Sequence, residues 1–233
     1  MNELMGRVFH FQKHVFPDQS NLYGRLARDG QNPSTLMISC SDSRVVPEEI
    51  CHADPGDLFV CRNAGNIVPP FSTQNGGVTS TVEFAVVALG VTDIIVCGHS
   101  ECGAMKGLAG DPAKLEAMPN VAAWLRHGAA ARQVVDQSYP ELDPERDGAA
   151  RVRAVALENV VVQLAHLRTH PSVAAAIAQG KLSLHGWFFD IQDGDVLALD
   201  GVSGRFEAIH EDRPLPVALA AAPRRATAIP VAA

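Results

Sequence analysis

The segment Cys40-Ser41-Asp42-Ser43-Arg44 brings a thiol, a carboxylate and a guanidinium together, and His99-Ser100-Glu101-Cys102 adds an imidazole and a second thiol. Two sulfurs and one imidazole suit zinc, and a set of three protein ligands leaves the fourth tetrahedral position to water or substrate. Two thiolates make zinc a weaker Lewis acid than three imidazoles would, yet bound water still loses its proton within a few units of neutrality. Asp42 follows Cys40 closely enough to reach the metal or its water, and Arg44 is spaced to hold that carboxylate in a bidentate pair. Held by Arg44, Asp42 accepts the nucleophile's hydrogen. Released, it becomes the fourth ligand and closes the site.

Both segments follow apolar runs. Thr35-Leu36-Met37-Ile38 reads as a buried strand delivering Cys40 at its carboxyl end, and residues 93–97 read as another, delivering His99. Between them Leu58-Phe59-Val60-Cys61 follows the turn Asp54-Pro55-Gly56-Asp57 and leads into the polar loop Arg62-Asn63-Ala64-Gly65-Asn66. Val82, Ala85, Val86 and Leu89 form one helix face, Ser80 and Glu83 have capping-box spacing, and Gly90 is a stop signal. A helix beginning near Cys102 favours its thiolate. Strand, helix and strand in succession predict an α/β fold with a mostly parallel central sheet and flanking helices. Ligands gather at the carboxyl ends of such strands, where Cys40, Arg62 and His99 all fall.

Further on, Val121, Trp124 and Leu125 form one helical core stripe, and Leu157, Val160, Val161 and Leu164 form another. The charged, proline-bearing residues 138–148 predict a solvated loop, residues 173–179 a short helix, and residues 182–189 and 196–199 a strand and a hairpin. Leu4, Val8, Phe11 and Val15 have helical spacing, so residues 1–30 are expected to form a helical arm ahead of a zinc-binding catalytic domain over 31–210. The Ala-, Pro- and Arg-rich residues 211–233 predict a disordered tail.

A net charge of -7 with no cluster of Lys and Arg excludes a nucleic-acid backbone as partner. No apolar run approaches the roughly 18 residues of a membrane span. Residues 1–16 lack the apolar stretch of a secretory signal. An odd number of cysteines, five, suits a reducing compartment, so a cytoplasmic protein is expected. Cys51, Cys61 and Cys97 read as buried small hydrophobes. Arg62 binds either loop carbonyls or an anion, Glu101 is a solvated carboxylate, and His185 is a structural histidine.

Cys40-Ser41-Asp42-Ser43-Arg44, Arg62-Asn63-Ala64-Gly65-Asn66, Glu83-Phe84-Ala85, Gly98-His99-Ser100-Glu101-Cys102-Gly103 and His185-Gly186-Trp187 together resemble the β-class carbonic anhydrases, over residues 31–196. The resemblance implies reversible hydration of carbon dioxide to bicarbonate and a proton by zinc-bound hydroxide. It implies one Zn2+ per subunit on Cys40, His99 and Cys102, and an Asp42–Arg44 dyad orienting the nucleophile. It also implies a homodimer or higher homo-oligomer with the active-site cleft at the subunit interface. Gln31 resembles the glutamine that plant-type members reach across the dimer toward substrate, and Phe59, Ala64 and Phe84 would line the apolar side. One branch of the family closes its site with the aspartate and binds bicarbonate in a second pocket through tryptophan, arginine and tyrosine. Those positions here are Met37, Arg62 and Phe189, so the open form is expected. Two alternatives keep the zinc: carbon disulfide or carbonyl sulfide as substrate, and a structural site closed by Asp42.

Overall fold

A computed structural model describes residues 1–73, 76–142, 147–212 and 216–219. Strands β1 (Thr35–Cys40), β2 (Leu58–Asn63), β3 (Asp93–His99) and β4 (Ser183–Phe189) are parallel, and β5 (Val196–Leu199) and β6 (Phe206–Ala208) are antiparallel to their neighbours. They form one sheet in the order β2-β1-β3-β4-β5-β6, which is the mostly parallel α/β sheet expected. The central β1 and β3 are apolar along nearly their whole length because both of their faces are buried.

The N-terminal segment consists of α1 (Asn2–His10) and α2 (Phe16–Asp29), joined through a π-helical turn at Phe11–Val15, and it ends at Gly30 with φ 83°. None of its residues is buried in the chain, and Leu4, Val8, Phe11 and Val15 face solvent. A single turn, α3 (Pro47–Ile50), follows β1. Next comes α4 (Gly77–Glu83), which continues as a π-helical stretch to Leu89 and stops at Gly90 in the left-handed conformation.

The capping box expected at Ser80 and Glu83 is not formed. Gly76 caps α4 instead, and the Ser80 hydroxyl, already inside the helix, donates back to the carbonyls of Gly76 and Gly77 at 3.2 and 3.1 Å. A serine that can bond the carbonyl one turn back fits a helix interior as readily as a cap.

The remaining helices are α5 (Gly103–Ala109), α6 (Pro119–Leu125), α7 (Ala129–Ser138), α8 (Gly148–Leu167) and α9 (Pro171–Ala178). The loop expected at 138–148 separates α7 from α8, and its residues 143–146 lie outside the described residues. The long α8 lies across β3 and β4 and contributes to both main core clusters, Val160 and Leu164 to one, Val155 and Ala156 to the other. Its close approach depends on two glycines. A Cβ at Gly98 would meet Val160 Cγ2 at 2.8 Å, and one at Gly186 would meet Val160 Cγ1 at 2.9 Å. Full burial of Val160 contributes roughly 1.5–3 kcal/mol, so the contact anchors the helix beside the end of β3.

The tail over 211–233 is not uniformly free of structure. Leu219 N–H donates to Leu184 O at 3.0 Å, and Gly201 N–H to Val217 O at 2.8 Å, because apolar Leu219 closes the core beside β4. Residues 220–233 lie outside the described residues. Among the described residues, no helix is long and apolar enough to cross a membrane.

Candidate metal centre

β1 and β3 are paired neighbours, so their carboxyl ends place Cys40 and His99 side by side. Beyond His99 the chain turns through Glu101, a non-glycine residue with φ 57°, and Cys102 comes back beside the histidine immediately ahead of α5. Left-handed backbone at such a residue is strained and is characteristic of functional turns. The result is three buried residues, Cys40, His99 and Cys102, whose ligand atoms all lie within 4.8 Å of one another.

The donor set fits a soft divalent cation. His99 Nδ1 lies 2.8 Å from Ser100 O, and a carbonyl only accepts, so the ring proton sits on Nδ1 and the Nε2 lone pair is free. That Nε2 is buried and has no hydrogen-bond partner among the described residues. An orphaned buried acceptor costs about 1–3 kcal/mol, which a metal ion at this position removes. The hydrogen bond with Cys102 pulls Cys40 down to about 4 against the opposing effect of burial, aided by the Gly65 N–H, which donates to Cys40 Sγ at 3.4 Å. The same shared bond, with burial, pushes Cys102 up, while the backbone N–H groups of Met105 and Ala104 favour its thiolate.

Beside this cluster Asp42 and Arg44 form the expected pair. Arg44 Nε donates to Asp42 Oδ1 at 2.9 Å and NH2 donates to Oδ2 at 2.8 Å, and the Arg44 backbone N–H reaches Oδ1 at 3.0 Å. The Arg44 guanidinium therefore holds the Asp42 carboxyl well below the usual carboxylate range. Arg44 NH2 also donates to Glu101 O at 3.3 Å, tying the two ligand loops together. Arg62 takes the loop-carbonyl role: its Nε donates to Cys40 O at 3.0 Å and its NH2 to Asp42 O at 2.7 Å.

A carbonic anhydrase family profile matches residues 35–196, the span that runs from β1 into β5 and carries every one of these side chains. The chain belongs to the β-carbonic anhydrases. The β-class assignment comes from fold: the structure of the β-carbonic anhydrase CcaA superposes with a TM-score of 0.86 at 42% identity, covering 91% of this chain and 93% of that one. A carbonic anhydrase of Pseudomonas aeruginosa is 50% identical over 211 residues, 91% of this chain and 93% of its own. A tetrameric β-carbonic anhydrase from Sordaria macrospora aligns with a TM-score of 0.66 at 34% identity, over 89% of this chain and 95% of that one. Members of the family are lyases that interconvert carbon dioxide and bicarbonate.

Within one chain the residues that the family resemblance assigns to substrate do not all gather at the β-carbonic anhydrase centre. Ala64 adjoins it in the chain, since the next residue, Gly65, donates to Cys40 Sγ. Phe59 and Phe84 meet each other with ring centroids 5.9 Å apart, and Phe84 is 48% exposed. Phe59 pairs in register with Leu36, four strand residues or about 13 Å back from Cys40. Gln31 is exposed ahead of β1, at the far end of that strand from Cys40.

His185 is structural, with Nε2 2.8 Å from Asp93 Oδ1. Glu101 is exposed and pairs with Lys106. Trp124 is only half-buried, and its indole N–H donates to Ala64 O at 2.8 Å, a polar role that its position in a core stripe does not suggest. Two further residues escape a motif reading altogether: Asn159 and Gln163 on α8, both fully buried. The available signal is a pair of amides one helical turn apart among the core-facing Val160 and Leu164, where apolar residues are the rule.

Proposed function

We propose that the protein catalyses the reversible hydration of carbon dioxide with one zinc ion held by Cys40, His99 and Cys102. The reading rests on one observation: three buried donor atoms converge within 4.8 Å, with the His99 Nε2 lone pair unpaired. When bound, zinc supplies the Lewis acidity that generates a nucleophile from water near neutral pH. Asp42 and Arg44 orient that nucleophile. An ionised carboxylate offers about four lone-pair positions. Arg44 occupies two on Oδ1 and one on Oδ2, so Oδ2 keeps one to accept the nucleophile's hydrogen. The same grip turns Asp42 toward Arg44 and away from service as a fourth ligand, which supports the open form. His99 is fixed through its Nδ1–H on Ser100 O, and Arg62 holds the carbonyls on either side of Ser41.

Carbon dioxide is small and without a net dipole, so an apolar wall suits it. Ala64 supplies part of that wall in its own chain, Phe59 and Phe84 supply the remainder to the centre of a second copy, and Gln31 reaches across toward that copy's substrate. Their position at the far end of the strands from their own Cys40, together with the exposure of Phe84, supports this division. The protein is accordingly a homodimer or a larger homo-oligomer, as the tetrameric relatives are. The exposed apolar residues of α1, Leu4 at 61% and Phe9 at 62% among them, support packing of the arm on a second copy. Five unpaired cysteines support a reducing, cytoplasmic location.

Stopped-flow hydration with a pH indicator tests the reaction. Wild type with one zinc per chain should hydrate carbon dioxide rapidly, and Cys40→Ala should not. Wild-type activity equal to that of Cys40→Ala refutes the reading.

A further inference from the structure

The Gly65 N–H that donates to Cys40 Sγ belongs to a peptide held by groups remote in the sequence. That peptide's carbonyl is Ala64 O, and it accepts the Trp124 indole N–H at 2.8 Å. The next peptide's carbonyl, Gly65 O, accepts from Asn159 Nδ2 at 3.0 Å. Behind Asn159 stands Gln163, whose Nε2 donates to Asn159 Oδ1 at 2.8 Å and whose Oε1 accepts the Val68 N–H at 2.9 Å.

The polarity of this chain of bonds is unique. Val68 N–H can only donate, so the atom of Gln163 facing it is oxygen and its nitrogen faces Asn159. Gly65 O can only accept, so the atom of Asn159 facing it is nitrogen and its oxygen faces Gln163. Neither amide can flip without breaking two bonds in a site sealed from water, since both residues are fully buried.

We infer that Trp124, Asn159 and Gln163 are positioning residues for the metal centre: they lock the two peptides flanking Gly65 so that its N–H stays aimed at the Cys40 sulfur. The inference rests on Cys40 being a metal ligand. A hydrogen bond to a thiolate withdraws charge from the sulfur and fixes its direction, and such outer partners commonly govern metal affinity about 10–100-fold. The close seating of α8 on Gly98 and Gly186 makes the reach of Asn159 possible. A helix supporting the sheet is thereby coupled to the electronics of a ligand on a different strand.

The test uses Asn159→Leu and Trp124→Phe in the full chain, with Leu167→Ala as a control for lost packing on the same helix. Zinc affinity is measured by chelator competition, and the sulfur-to-metal charge-transfer band is recorded after cobalt substitution. Both positioning variants should bind zinc about tenfold or more weakly. Their band should move to lower energy, because the sulfur lone pair is no longer stabilised by the N–H. Leu167→Ala should lower the melting temperature and leave both readouts unchanged. An unchanged band and affinity in Trp124→Phe, which removes one donor while keeping an aromatic ring, overturns the inference even if Asn159→Leu fails to fold. So does an equal shift in Leu167→Ala. If wild type binds zinc and Cys40→Ala does not, the metal centre stands and a negative result counts against the positioning residues alone. If wild type binds none, both readings fall.

Discussion

Replacing Gly65 with alanine should damage the protein through two separable effects. Gly65 has φ 82°, and a Cβ there would meet Met105 Cε at 2.8 Å and Ala104 Cβ at 2.9 Å. The first effect is the backbone: an L-residue in left-handed conformation costs about 1–2 kcal/mol. The second is crowding. Met105 Cε is the end of a flexible side chain and can yield, whereas Ala104 Cβ is fixed to the first turn of α5, next to Cys102. Overpacking of this kind costs about 1–3 kcal/mol, so Gly65→Ala should lose about 2–5 kcal/mol in all.

Gly180→Ala supplies the comparison, since Gly180 has φ 67° and nothing within 4 Å of a new Cβ. It should lose only the backbone part, about 1–2 kcal/mol. Urea unfolding of the metal-free proteins at one fixed concentration measures both, with the m-value checked for constancy. The corresponding falls in melting temperature are about 4–20 °C and about 2–8 °C. Zinc binding should weaken in Gly65→Ala alone, because moving the start of α5 moves Cys102. If Gly65→Ala proves no worse than Gly180→Ala, the crowding argument is refuted, and with it the claim that this loop packs rigidly against α5.

Arg44→Ala frees Asp42 and should lower carbon dioxide hydration about 10–100-fold while zinc stays bound, as stopped-flow and metal analysis would show. The same variant has a signature in acid. The Arg44 side chain depresses Asp42, so the stabilisation it brings is complete above the ordinary carboxylate value of about 4 and is lost as pH falls through and below it. Metal-free wild type should therefore lose more stability than Arg44→Ala between about pH 5 and pH 2, read by urea unfolding. Burial pushes the Cys97 thiol up to about 12, so iodoacetamide at about pH 9 should leave it unmodified in the native protein, as peptide mass spectrometry would report. Gly98→Ala drives a Cβ against Val160 Cγ2 and should cost about 1–3 kcal/mol by thermal unfolding, less if Val160 is shortened to alanine at the same time.

The ligands and the dyad are legible in the sequence because their chemistry is local. Cys40, Asp42 and Arg44 lie within one turn, His99 and Cys102 within another, and each turn ends an apolar run whose character as a buried parallel strand follows from its composition. Parallel strands set their carboxyl ends on one edge of the sheet, so two such runs suffice to predict that the turns meet. The boundary of α4 was less legible, since Ser80 satisfies a capping pattern and an interior back-bond equally well. The three-residue β6 is too short to show a period of its own.

Only the tertiary structure decides what surrounds the ligands. The bond from Asn159 to Gly65 spans 94 positions and exists because two glycines on different strands let α8 settle onto the sheet. Nothing in the local pattern of α8 distinguishes an amide that supports a metal ligand from one that merely interrupts an apolar face. The same holds for Gln31, Phe59 and Phe84. Strand register, which depends on pairing between distant segments, sets Phe59 about 13 Å back from its own Cys40 with Phe84 packed on it, and so the sequence names the chemistry while packing determines which groups hold it in place.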